Sequence, residues 1–183
     1  MARIRADAHR NRERLLEAAS AAFTAADGTT VSLEAIARDA GVGIGTLYRH
    51  FPNREALVEA VYRTELAEVS ASASALLERH APVAALRHWM SRYGSFVAAK
   101  QGMAESLSAM FASGAVEPGD TRASIVGAVD TLLSAGRADG SLRADVSADD
   151  VVTSLIGIAI ASHSTEQAHR MRDLLVDGLV TTR

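Results

Sequence analysis

Apolar residues recur along this chain at spacings of three and four. Leu15, Leu16, Ala19, Ala22 and Phe23 form one such stripe, which predicts a first helix from about Ala8 to Ala26. Asp27-Gly28 breaks it. Ser32 fits a helix N-cap, with Glu34 in the first turn facing the positive helix end. The short helix it opens carries Leu33, Ile36, Ala37 and Ala40 on one face and stops at Gly41, expected as a left-handed residue. A third helix is expected from Ile44 to His50, with Leu47 and Phe51 inward and Pro52 as its stop. Asn53 caps a long fourth helix with Leu57, Val58, Val61, Tyr62 and Leu66 buried, fading between Ser70 and Ala75.

Pro82 suits the first position of the next helix, which has the apolar face Val83, Leu86, Trp89, Met90, Tyr93, Phe96 and Val97. Another helix falls between Gly102 and Gly114, and GAVEPGD reads as a loop. Ile125, Val129, Leu132 and Leu133 mark a helix ending near Asp139-Gly140. Ser147 and Asp150 form a capping box ahead of VVTSLIGIAIASH, and a last helix holds Met171, Leu174, Leu175 and Leu179. Strand-length runs of period two are missing. The expectation is an all-α chain of about nine helices with no internal repeat, its domain boundary between Glu68 and Pro82.

Composition narrows the class. A hydrophobic share of 48% supports a packed core. The absence of cysteine removes disulfide frameworks and thiolate zinc sites. The charged start has no apolar signal-peptide core, and VVTSLIGIAIAS is too short to span a bilayer, so a soluble cytoplasmic protein is expected. Net charge is −3, unevenly placed: residues 1–63 hold nine arginines against eight acids, and Arg3, Arg5, Arg10, Arg12 and Arg14 crowd the front. A mildly basic front on an acidic body suits binding to DNA by one end.

Residues 33–51 have the layout of a helix-turn-helix. Small residues, Ala37 and Gly41, allow the two helices to cross closely, and Ile36, Val42 and Leu47 fill the space between. The second helix then turns Ile44, Gly45, Thr46, Tyr48, Arg49 and His50 outward. Such a helix fits the major groove, with hydroxyl, imidazole and guanidinium groups available to phosphates. Gly43 and Gly45 admit close approach of backbone to DNA, and the helix starts at Ser32 and Asn53 add N–H groups aimed at anions.

The segment IARDAGVGIGTLYRHFPNREAL resembles the DNA-binding domain of the tetracycline-repressor (TetR) family of bacterial transcriptional regulators, over roughly residues 10–63. The resemblance implies a DNA-binding domain at 1–63, a C-terminal ligand-binding and dimerisation domain at 64–183, and a homodimer. It places Thr46, Tyr48 and His50 at phosphate contacts, Ile44 and Gly45 facing bases, and Arg54 at a basic backbone contact. Some members carry arginine two residues beyond the cap; here that residue is Glu34.

The second part carries no comparable motif. Trp89, Tyr93, Met103, Met110 and Phe111 are core residues first and candidate pocket residues for a small, mostly apolar ligand second. Val152, Leu155, Ile156, Ile158, Ala159 and Ile160 point nearly all round a helix, which asks for cover from a second subunit, joined by Met171, Leu174 and Leu175. His163 and His169 are six apart and share no helical face, so no metal is expected. GVGIG follows a helix and lacks the dinucleotide fingerprint, no nucleophile elbow or phosphate loop occurs, and no cofactor is expected. The leading expectation is a repressor that binds a palindromic operator as a dimer and is released by a ligand. A DNA-binding regulator without an inducer, architectural or governed by a protein partner, is the alternative, and an enzyme with an incidental helix-turn-helix is a third reading.

Overall fold

The computed structural model describes residues 2–26, 31–112, 114 and 118–181; the side chains of residues 2–5, 101, 102 and 118 also lie outside the description. The expected breaks at Asp27-Gly28 and within Ala115–Glu117 fall outside it, as do the side chains of Arg3 and Arg5. The described residues are all-α, in the order α1 (Ala2–Ala25), α2 (Leu33–Asp39), α3 (Ile44–His50), α4 (Arg54–Leu77), α5 (Pro82–Gly102), α6 (Ala104–Ala112), α7 (Pro118–Ala138), α8 (Ala148–Ala161) and α9 (Thr165–Leu179). Among them, no helix is long and apolar enough to cross a membrane.

Three boundaries differ from the sequence expectation. Helix α1 begins six residues before Ala8. Its first turns have no apolar stripe to betray them, but no glycine or proline interrupts them either. The Arg10–Asp7 ion pair and the His9–Glu13 contact (3.2 Å), both at helical spacing, support the stretch just beyond. Helix α4 continues past the serine-alanine stretch to Leu77, because Val69 and Ala73 remain buried one turn apart. Pro118-Gly119-Asp120, read as loop, is the first turn of α7. Proline suits that position and Asp120 meets the positive helix end.

The chain divides into two compact units, Met1–Glu65 with Phe96–Glu117, and Leu66–Ser95 with Pro118–Arg183. In the first, Leu15, Ala19 and Phe23 of α1 are buried together with Ile36 and Ala37 of α2 and Leu47 of α3. Tyr62 is buried there too, its ring 5.8 Å from Phe96 and edge-on to Phe111 at 6.2 Å.

In the second unit, Ile125, Val129, Leu132 and Leu133 of α7 join Val151, Val152 and Leu155 of α8 and Val176 and Leu179 of α9 in the core. The Ser147–Asp150 capping box forms as expected. Arg143 N–H donates to the Leu179 carbonyl (2.9 Å) and Thr181 N–H to that of Ser141 (3.1 Å), tying the end of α9 to the turn before α8. This core corrects one expectation: Val152 and Leu155 are buried within their own chain and have no surface left for a second subunit. The helix is not apolar on all sides in effect, because α7 and α9 already cover its first two turns. Its far end stays open, with Ile160 79% exposed.

The α2–α3 turn depends on one backbone conformation. Gly41 has φ +67°, its N–H donates to the Arg38 carbonyl and the Val42 N–H to that of Ala37, both at 2.9 Å. These two bonds are the Schellman closure, which needs a left-handed residue after the helix. Gly41→Ala is expected to destabilise the protein by about 1–2 kcal/mol, the usual cost of a side chain in that region, as a lowered urea midpoint at unchanged slope.

Candidate nucleic-acid interface

The candidate surface is built by fixing both ends of α3 and burying one side. Upstream, the Ser32 side chain caps α2 by accepting from the Ala35 N–H (3.3 Å), and the Schellman closure turns the chain. Gly43 then starts α3 in an extended conformation, its carbonyl accepting from Thr46 (2.8 Å) and Leu47 (3.3 Å). Downstream, Phe51 N–H donates to the Leu47 carbonyl (2.8 Å), Pro52 prevents continuation, and the Asn53 side chain caps α4 through Ala56 N–H (2.8 Å). Leu47 and Phe51 are buried. A seven-residue helix so anchored can present only its opposite side.

That side carries most of the expected residues. Tyr48 is 46% exposed and Ile44 36%. Arg49 is exposed and has no ion-pair partner among the described residues. A Cβ added to Gly43 or Gly45 would meet nothing within 4 Å, so the backbone there faces open space. Thr46 and His50 are half-buried at the edges of this face, His50 with its ring 6.3 Å from that of Phe51. Together they offer two hydroxyls, an imidazole and a free guanidinium around bare backbone, the donor types that phosphate oxygens accept from.

Two expected contact residues have other work. Arg54 is half-buried, donates to the Val31 carbonyl at 2.7 Å, and lies 5.6 Å from the centre of the Phe23 ring. It fastens the start of α4 to the segment before α2 rather than standing free for a phosphate; the basic residue was legible in sequence, its acceptor was not. The Ser32 hydroxyl donates its one proton to Glu34 (2.8 Å) while accepting from Ala35, so it serves as a helix cap. Backbone hydrogen bonding at Glu34 and that hydroxyl hold the Glu34 carboxyl below its usual range. The α1 arginines are also locally engaged: Arg10 with Asp7, Arg14 with Asn11, and Arg12 over the Phe51 ring at 5.4 Å.

The expected ligand residues fall in separate units. Trp89 and Tyr93, in the second, are buried and stacked at 5.4 Å, with the Trp89 indole N–H donating to the Val69 carbonyl (2.9 Å). Met103 and Met110, in the first, are buried, and Phe111 is half-buried. The sequence reading passed over Lys100. It is the only lysine beside eighteen arginines, and its ammonium sits half-buried 5.5 Å from the centre of the Phe111 ring. Burial lowers its pKa. Its rarity was the signal available in the sequence. Among the described residues, no three His, Asp or Glu side chains converge as a metal site.

Comparison with known proteins agrees with this geometry. Residues 15–61 match the profile "Bacterial regulatory proteins, tetR family", and residues 81–181 match "Transcriptional regulator SbtR-like, C-terminal domain". The TetR transcriptional regulator SCO0520 from Streptomyces coelicolor is 44% identical in a superposition covering 94% of this chain and 99% of that one, with TM-score 0.85. The TetR transcription regulatory protein from Mycobacterium vanbaalenii is 35% identical over 97% and 99%, with TM-score 0.74. The HTH-type transcriptional regulator SAUSA300_2515 of Staphylococcus aureus is 38% identical over 63 residues. That match spans about a third of each chain, 34%. The chain belongs to the TetR family of transcriptional regulators.

Stability measurements separate anchoring residues from presented ones. Arg54→Ala is expected to cost about 1.5–3 kcal/mol, the range for a lost charge-assisted hydrogen bond. Tyr48→Phe and Arg49→Ala should each stay within about 0.5 kcal/mol of wild type, as exposed residues do. Equal losses in all three would show that Tyr48 and Arg49 are also structural.

Lys100 gives a pH signature. Its folded pKa lies below the unfolded value of about 10.4, so in the window between them the unfolded chain binds more protons and stability rises with pH. Below that window the ammonium is charged in both states and the burial penalty is complete. Lys100→Met should therefore exceed wild type in urea stability at neutral pH, the gap closing as pH rises toward the unfolded value. A pH-independent gap would contradict the burial effect.

Proposed function

We propose that this protein is a repressor that binds a palindromic DNA operator as a homodimer and is released by a small molecule. The observation that carries the reading is α3 itself: one side locked by Leu47 and Phe51, the other offering exposed Tyr48, Arg49 with no ion-pair partner among the described residues, and the open glycines Gly43 and Gly45. Thr46, Tyr48 and His50 hold phosphates on the two walls of the major groove, while Ile44 and the Gly45 backbone face bases. Residues 1–63 act as the reading head and 64–183 as the ligand-binding and dimerising part. The cytoplasm is the compartment where such a protein meets its operator, and its role is regulatory rather than catalytic.

Dimerisation uses the apolar surface left over from the core. Ile156, Ala159 and Leu175 are half-buried, Met171 is exposed, and Leu174 and Ile160 are 64% and 79% exposed. Two-fold pairing through α8 and α9 sets two copies of α3 about 34–36 Å apart, one turn of DNA. The released state follows from differential affinity: a ligand that favours a dimer with the wrong spacing shifts the population by the ratio of its affinities for the two states. Trp89 and Tyr93 of the second unit are the side chains assigned to a mostly apolar ligand; Met103, Met110 and Phe111 belong to the other unit.

The test starts with fragments of the source genome retained by the purified protein. Affinity for a retained fragment should fall steeply with salt, and Arg49→Ala should flatten the log–log slope by about one unit. Tyr48→Phe should weaken binding about threefold to tenfold, the worth of one hydrogen bond. Salt-independent binding, or Tyr48→Phe and Arg49→Ala proteins that bind like wild type, would refute the assignment.

A further inference from the structure

Helices α5 and α9 face each other along a seam in the second unit. The facing positions are Arg87, Met90, Ser91 and Gly94 on α5, and His169, Arg172, Asp173 and Val176 on α9. Each set steps by three, one and three residues, which is a single face of a helix. The two arginines on the seam are held differently. Arg87 is satisfied, pairing with Asp173 at 3.0 Å and with Asp177. Arg172 makes no hydrogen bond or ion pair among the described residues; Asp173 acts on it only at longer range.

Arg172 is nevertheless held in place. Its guanidinium lies against the backbone of Gly94, where an added Cβ would come within 2.6 Å of Nη1. It is half-buried, and burial lowers its pKa. Its N–H groups are not sealed in the core, so they stay open to an acceptor that enters from outside. Beside it is a cleft of about 190 Å3, lined by Arg87, Ser91, His169, Arg172 and Asp173 with Met90 and Val176. That volume is below the roughly 300–1,000 Å3 of pockets for drug-sized molecules, so it fits a headgroup rather than a whole hydrophobic ligand. Arg87 is shared by two carboxylates, Asp173 and Asp177, so the four groups together are neutral, and Arg172 is the cation among them with no direct ion-pair partner among the described residues.

We propose that the α5–α9 cleft binds a compact oxyanion, a phosphate or carboxylate group, gripped by the Arg172 fork with Ser91 and His169 as further donors. The site is independent of the aromatic residues assigned to the repressor's ligand. Its occupant ties α9 to α5 and stiffens the helix that also carries Met171 and Leu174.

Thermal unfolding of the full chain in chloride buffer of constant ionic strength, with increasing inorganic phosphate or, separately, acetate, tests this. At least one anion should raise Tm measurably by about 20 mM, the rise growing with concentration as RT ln(1 + [L]/Kd). A response to phosphate alone assigns a phosphorylated ligand, one to acetate alone a carboxylate. Arg172→Met and Arg172→Gln should abolish the response; using both guards against one variant misfolding. Gly94→Ala, which keeps the charge but displaces the guanidinium, should weaken the apparent Kd about tenfold, the loss of one charge-assisted bond. No concentration-dependent shift in wild type with either anion, or an equal shift in the Arg172 variants, overturns the proposal.

Discussion

The structure of the candidate surface rests on a single constraint: α2 must stop and the chain must turn within four residues while the first unit's core stays closed. Two backbone bonds at Gly41 and Val42 achieve this, and they require a left-handed residue. From that turn everything about α3 follows. Leu47 is placed in the core shared with Ile36 and Phe23, and the opposite face has nowhere to go but outward. The exposure of Tyr48 is thus a consequence of burying Leu47 one residue earlier.

The same logic explains which polar residues stand free. Arg54, Ser32 and Glu34 help hold α2 and α4 in place, while Arg49 and Tyr48 make no ion pair or side-chain hydrogen bond among the described residues. A surface whose donors are idle within the protein is ready to be satisfied by an outside partner without breaking anything first. The glycines add a second property: a Cβ added at Gly43 or Gly45 would meet nothing within 4 Å, so the backbone there is open to a partner.

Much of this was legible in sequence because caps and breakers act locally. Ser32, Gly41, Pro52, Asn53, Pro82 and the Ser147–Asp150 pair all sit where their chemistry predicts, since each needs only its nearest neighbours. What was not legible depends on contacts distant in the chain. The sequence shows that Arg54 is basic but not that the Val31 carbonyl lies 2.7 Å away. It shows Val152 and Leu155 in an apolar helix but not that α7 and α9 cover them first. Arg172 had no pattern at all; it became visible only once Gly94 was found beneath it.

The chain has no cysteine, which permits one direct measurement of the central claim. A single Ile44→Cys substitution, carrying a chelated iron that cleaves nearby DNA, reports where the tip of α3 rests on a retained genomic fragment. The account predicts two clusters of cuts spread across the major groove, centred about one helical turn, roughly 10 base pairs, apart. Cuts no different from those of the same probe at Ala144→Cys, in the turn before α8, would contradict it.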